Sequence, residues 1–159
     1  MAKAFYRQTK AQKRVTIAKD VLKWLDTKKV RASPGVYLDV YDGKELVTEG
    51  DTVNGYKCEA CALGAIFACT VERAKAARSG GFNVSSGHMR SRLGPYFERD
   101  QLAAIENAFE QTSVIPTEAS TGTWSPQYEG ADFSADSSPT RRMRAIMKNI
   151  IRNNGTFIP

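Results

Sequence analysis

The stretch "CEACALGAIFAC", Cys58 to Cys69, constrains the fold of this chain more than any other. It overlaps an uncharged run, Ala60 to Val71, that is too short to span a bilayer and must therefore be a core segment covered by other elements. The pattern predicts one helix from about Gly55 to Arg78. At about 100° per residue, Leu63, Ile66, Phe67 and Thr70 fall on one side of that helix. Cys58, Cys61, Ala62, Ala65, Ala68 and Cys69 fall on the other, with Gly64 at the border. A free cysteine behaves as a small hydrophobe, and small residues let a second backbone approach closely. The segment should be central and buried on both faces.

These residues include all three cysteines, and the only histidine, His88, follows. A zinc site of three cysteines and one histidine needs ligands about 2.0–2.3 Å from one ion. On a single helix Cys58 and Cys69 would stand about 16 Å apart along the axis, so no metal and no cofactor is expected. Cys58-x-x-Cys61 follows no strand of a βαβ unit, which argues against a redox dithiol. An odd cysteine count, and no apolar segment behind "MAKAFYRQTK", predict free thiols in a reducing cytosol.

Charge is distributed unevenly. Residues 1–31 carry a net +8 and residues 141–159 a net +5, whereas residues 32–140 carry −7. If the two basic ends fold side by side, they form a positive face that attracts nucleic acid, an acidic protein surface or an anionic small molecule. Alternatively, the ends complement the acidic middle of the same fold.

The chain of 159 residues is expected to be one compact domain, mainly α, with four to five helices and a small β-hairpin. Val15, Ala18, Val21, Leu22 and Leu25 recur at helical spacing between Ala11 and Lys28. "ASPG" breaks that helix, and "VYLDV" with "ELVT" around Asp42-Gly43 reads as the hairpin. Leu102, Ile105, Ala108 and Phe109 mark a further amphipathic helix. In the last helix Ser138 is the expected N-cap, Pro139 the first helical residue and Gly155 the C-terminal cap. Residues 1–10 are a candidate disordered arm, and residues 112–138 a long acidic loop.

Three groups are binding candidates. Arg141, Arg144, Lys148 and Arg152 line the face of the last helix opposite Met143, Ile146, Met147, Ile150 and Ile151. Ser86, His88, Arg90 and Arg92, beside Ser85, could form an anion site at a helix start, although the phosphate-loop lysine and spacing are missing. Trp124 and Tyr128 stand in the acidic loop. No G-x-S-x-G elbow, H-E-x-x-H pair or deaminase pattern occurs, so no catalytic residue is assigned.

"CEACALGAIFAC", "RSRLGPYFERDQLAAIENAFE" and "RRMRAIMKNIIRNNGTFIP" resemble a group of small proteins encoded by bacteriophages and prophages. The shared patterns are C-x-x-C-A-x-G-A, Y-F…Q-L…I-E-x-A-F-E and I-M-x-N-I-I-x-N-N-G-T-F-x-P, covering most of the chain outside residues 112–138. The resemblance implies a shared helical core and a setting in the host bacterial cytosol. The function expected is that of a non-enzymatic accessory protein that binds a host macromolecule or signalling ligand and modulates host defence. Its partner would be a host protein or an anionic ligand, without a membrane. The alternative is nucleic-acid binding through the basic face of the last helix and the N-terminal segment.

Overall fold

A computed structural model describes residues 2–74, 82–110 and 137–159. In chain order they form α1 (Ala2–Tyr6), α2 (Lys10–Asp26), β1 (Val30–Ala32), β2 (Leu38–Asp42), β3 (Glu45–Val47) and β4 (Glu49–Gly50). There follow β5 (Lys57–Ala60), α3 (Ala62–Ala74), β6 (Phe82–Asn83), α4 (Ser86–Leu93), α5 (Arg99–Glu110) and α6 (Pro139–Arg152).

The expectation of a mainly α chain with one small hairpin does not hold. The predicted hairpin is present as β2–β3, with Gly43 at φ +62° opening its two-residue turn. It is only half of a four-stranded mixed sheet of order β1-β5-β2-β3, in which β1 runs parallel to β5 and the other pairs are antiparallel. Strands β4 and β6 form a second, two-stranded sheet.

Most of the difference arises at Cys58. The single helix expected over residues 55–78 is a strand from Lys57 to Ala60 and a helix from Ala62 to Ala74, and its expected end, residues 75–78, lies outside the described residues. Cys58 pairs with Val30 on one side and Val40 on the other, so its backbone completes two ladders at once. The distance argument against a shared metal ion thus loses its premise. Among the described residues, however, no three His, Cys, Asp or Glu side chains converge.

The part of the expectation that concerns burial holds. Every residue from Cys61 to Phe67 except glycine is 0–1% exposed, and α3 is covered by α2, α4, α5 and the sheet. Gly64 is what lets the sheet side close. A Cβ placed there would lie 1.5 Å from the Tyr37 carbonyl oxygen and 3.1 Å from the Ala60 methyl. The segment at Val36 and Tyr37 is held against the start of α3 by a bond from Cys61 N–H to the Val36 carbonyl, 2.5 Å.

The helices are well specified locally. Thr9 and Gln12 form a reciprocal capping box at the start of α2, with N···O distances of 2.9 and 3.2 Å. Ser138 caps α6 by accepting from Arg141 N–H at 3.2 Å, and Pro139 occupies the first turn, as the sequence predicts. At the other end Asn154, φ +52°, takes the left-handed cap position, and Gly155 follows at φ +92°. Gly155 has a second reason to lack a side chain, because a Cβ would meet the Ala11 carbonyl oxygen at 2.5 Å.

Asn149 and Arg142, polar side chains of α6 that sequence periodicity did not mark, are buried. Asn149 donates to the Ile158 carbonyl at 2.6 Å and accepts from its N–H at 2.9 Å, while Gln101 brackets Phe157 in the same way. These pairs seat Phe157 in the core, 2% exposed. Arg142, 6% exposed, donates to the carbonyls of Phe109 at 2.8 Å and Ser137 at 2.6 Å, and burial lowers its pKa. It ties α6 to the carboxyl end of α5.

α1 falls within the N-terminal segment considered a candidate arm, and it buries Phe5 to 1% exposure. No described helix is long and apolar enough to cross a membrane.

Candidate functional site: a basic cleft at the end of the sheet

The two basic ends of the chain do lie together. Among the described residues α2 and α6 make the most extensive helix–helix contact, and they run antiparallel, with Arg144 paired to Asp26 at 2.7 Å at one end and Gly155 against Ala11 at the other. The end of this helix pair that carries Asp26 abuts the beginnings of β1 and β5. There a cleft of about 770 Å³ opens, a volume within the ordinary range for small-molecule sites.

Its floor is apolar, formed by Leu25, Val30 and Cys58, each at most 7% exposed. The rim is basic: Lys28, Arg31, Lys44 and Lys57 surround it, with Glu59 as the one acidic residue. All four cations are exposed. Arg31 contacts Glu59 at 3.3 Å; among the described residues no carboxylate pairs with Lys28, Lys44 or Lys57. Ammonium groups clustered without counterions raise the local potential and attract anions.

The sheet register builds this rim. Arg31, Glu59 and Asp39 are cross-strand neighbours on the outer face of the sheet, and Lys57, Tyr41 and Leu46 form the next row. Tyr41 therefore stands on the outer face beside Lys57, where it lines the cleft. Its hydroxyl donates to Asp39 at 3.4 Å. Desolvation, followed by the Asp39 and Glu59 carboxylates, raises the phenol's pKa. Thr140, in the first turn of α6, closes one side.

Lys28 sits in a position that favours glycine. The carboxyl end of α2 is a Schellman motif: Lys29 N–H bonds to the Trp24 carbonyl at 2.9 Å and Lys28 N–H to that of Leu25 at 3.3 Å. The left-handed residue is Lys28, φ +55°. A residue with a Cβ is strained there, so the fold retains an ammonium at the rim against local preference.

No family model, curated protein or solved structure matches this chain.

The residues singled out from sequence are dispersed. Arg141, Lys148 and Arg152 are exposed on one side of α6, and Arg144 is paired with Asp26. At the start of α4 the cap is Ser85, which accepts from His88 N–H at 3.4 Å; Ser86 is the first helical residue. His88 packs its ring edge-to-face against Phe67, centroids 5.8 Å apart, with its Nε2 buried. Arg90 turns inward to the Glu106 carboxylate, which also accepts from the Tyr37 hydroxyl at 2.6 Å. Arg92 is partly buried. The turn thus supplies structure: Glu106, together with Glu110, which accepts from Gly35 N–H at 2.8 Å, anchors the segment that lies over Gly64. Trp124, Tyr128 and the acidic loop, up to residue 136, lie outside the described residues.

All three thiols are free and buried. Burial pushes Cys58 up to about 11 and Cys61 up to about 12, and raises Cys69 well above the ordinary thiol value. A protonated, buried thiol is a poor nucleophile.

Proposed function

We propose that this protein acts by binding an anionic ligand in the basic cleft between the end of the sheet and the α2–α6 pair. The observation that carries this reading is the combination at one place of an apolar floor, four exposed cations and a single carboxylate. An apolar floor gives a ligand somewhere to bury its body, and the rim holds its charge. The resemblance to phage-encoded proteins supports an accessory role in a bacterial host cytosol, where the ligand would be a signalling molecule or the acidic surface of a host component.

Nucleic-acid binding along α6 is the second reading, favoured by Arg141, Lys148 and Arg152 standing exposed in one row. It predicts affinity that falls with salt by a log–log slope of about −0.9 per phosphate contact. Removing Lys44 and Lys57 should leave it untouched.

Tripolyphosphate at low ionic strength is a suitable probe. It is expected to raise the melting temperature of the wild-type protein, and the double variant Lys44→Glu, Lys57→Glu should lose that shift. The double variant Lys19→Glu, Lys23→Glu, an equal charge change at exposed sites on α2, should keep most of it. A shift retained in the double variant contradicts the cleft as the site.

A further inference from the structure

Resting on that reading, we infer that the ligand of the cleft is a nucleoside phosphate, its base stacked on Tyr41 and its phosphates held by Lys28, Lys44 and Lys57. Three features of the lining narrow the chemistry. First, the wall formed by β2 presents an aromatic ring on the outer face of the sheet, with Lys57 directly across from it in the ladder. A phenol ring offers a planar surface to any base, and a neighbouring cation can reach the phosphate of the same molecule.

Second, the cations come from separate segments: Lys28 from the end of α2, Lys44 from the β2–β3 turn and Lys57 from the start of β5. Cations arranged around a cleft suit a ligand with several negative charges better than a single carboxylate. At Gly43, beside Lys44, a Cβ would meet no atom within 4 Å, so the turn stands open toward an approaching phosphate.

Third, Glu59 is the one carboxylate of the lining, and its partner Arg31 is a largely exposed side chain, 79% accessible. A ligand made only of phosphate gains nothing from Glu59. A ligand with hydroxyl or amine donors at its uncharged end would bond to it. Planarity, multiple negative charge and donor groups coincide in a nucleoside phosphate, and a cleft of about 770 Å³ accommodates one.

Titration calorimetry of the full chain, without divalent cations, tests this with tripolyphosphate and the four common ribonucleoside triphosphates as probes. At least one nucleotide should bind roughly tenfold or more tighter than tripolyphosphate, the advantage that base stacking supplies. Tyr41→Leu should collapse that ratio toward one, and Tyr41→Phe, which keeps the ring, should preserve it. Nucleotides that bind no tighter than tripolyphosphate would overturn the inference while leaving the anion cleft intact. If neither binds, both readings fail. A dodecauridylate that binds more than a hundredfold tighter than every mononucleotide would assign the surface to a nucleic-acid strand and also overturn the inference.

Discussion

Gly64→Ala is expected to destabilise the protein by roughly 4 kcal/mol or more, a large share of the about 5–15 kcal/mol that keeps a domain folded. The added methyl would sit 1.5 Å from the Tyr37 carbonyl oxygen, and backbone on both sides has nowhere to go. The Tyr37 side is fixed by the Glu106 bond to its own hydroxyl and the Glu110 bond to Gly35, and the Gly64 side lies in the first turn of a helix buried all round. Overpacking against side chains commonly costs about 1–3 kcal/mol because rotamers can shift; a carbonyl in a tied loop offers no such escape. Gly87→Ala on α4 is the matched control, since nothing lies within 4 Å of its Cβ. It should be neutral or stabilising by up to about 1 kcal/mol. Urea unfolding of both variants decides the matter, and a Gly64→Ala protein within about 1 kcal/mol of wild type would mean that the strand-to-helix junction is not packed as described.

The second large effect is in alkali. The Cys58 and Cys61 thiols have pKa values raised by burial to about 11 and about 12, against an ordinary 9. A raised folded-state pKa means that the contribution to stability is complete below pH 9. It is lost as the pH rises, because the unfolded chain gives up its protons first and the folded chain only near pH 11 to 12. At about 1.4 kcal/mol per pK unit, the two thiols should remove roughly 5 kcal/mol of stability between pH 8 and pH 11. A Cys58→Ala, Cys61→Ala variant would start less stable at pH 8 but decline much less over that range. Lysines and tyrosines titrate alike in both proteins, so the difference between the two curves isolates the thiols. Parallel curves would place the thiols in water.

How much of this was legible in the sequence depended on whether the signal was local. α2, α5 and α6 follow from apolar residues at helical spacing, and each buries the face that periodicity marks. The hairpin follows from Asp42-Gly43 between alternating residues. β5 was hidden: Lys57-Cys58-Glu59-Ala60 contains no β-branched or aromatic residue and runs directly into an apolar helix. Its strand character comes from Val30 and Val40 on neighbouring strands, which is tertiary information. β1, three residues long, offers no period to read.

The cleft was illegible for the same reason. Summing charge by segment assigned Lys44 and Lys57 to the acidic middle of the chain, yet the ladder places them beside Lys28 and Arg31 from the basic N-terminal part. One sign at Lys28 was also missed. A lysine after the helix-ending Thr27, where glycine would cap better, conflicts with local preference, and such conflicts tend to mark positions kept for another purpose.

That conflict gives the most direct test of the claim that the cleft is a binding site. Lys28→Gly relieves a left-handed residue, φ +55°, and removes one rim cation. The account predicts opposite movements in one protein: stability higher by about 0.5–1 kcal/mol and tripolyphosphate bound about tenfold more weakly. A variant that binds tripolyphosphate as tightly as the wild type would contradict it.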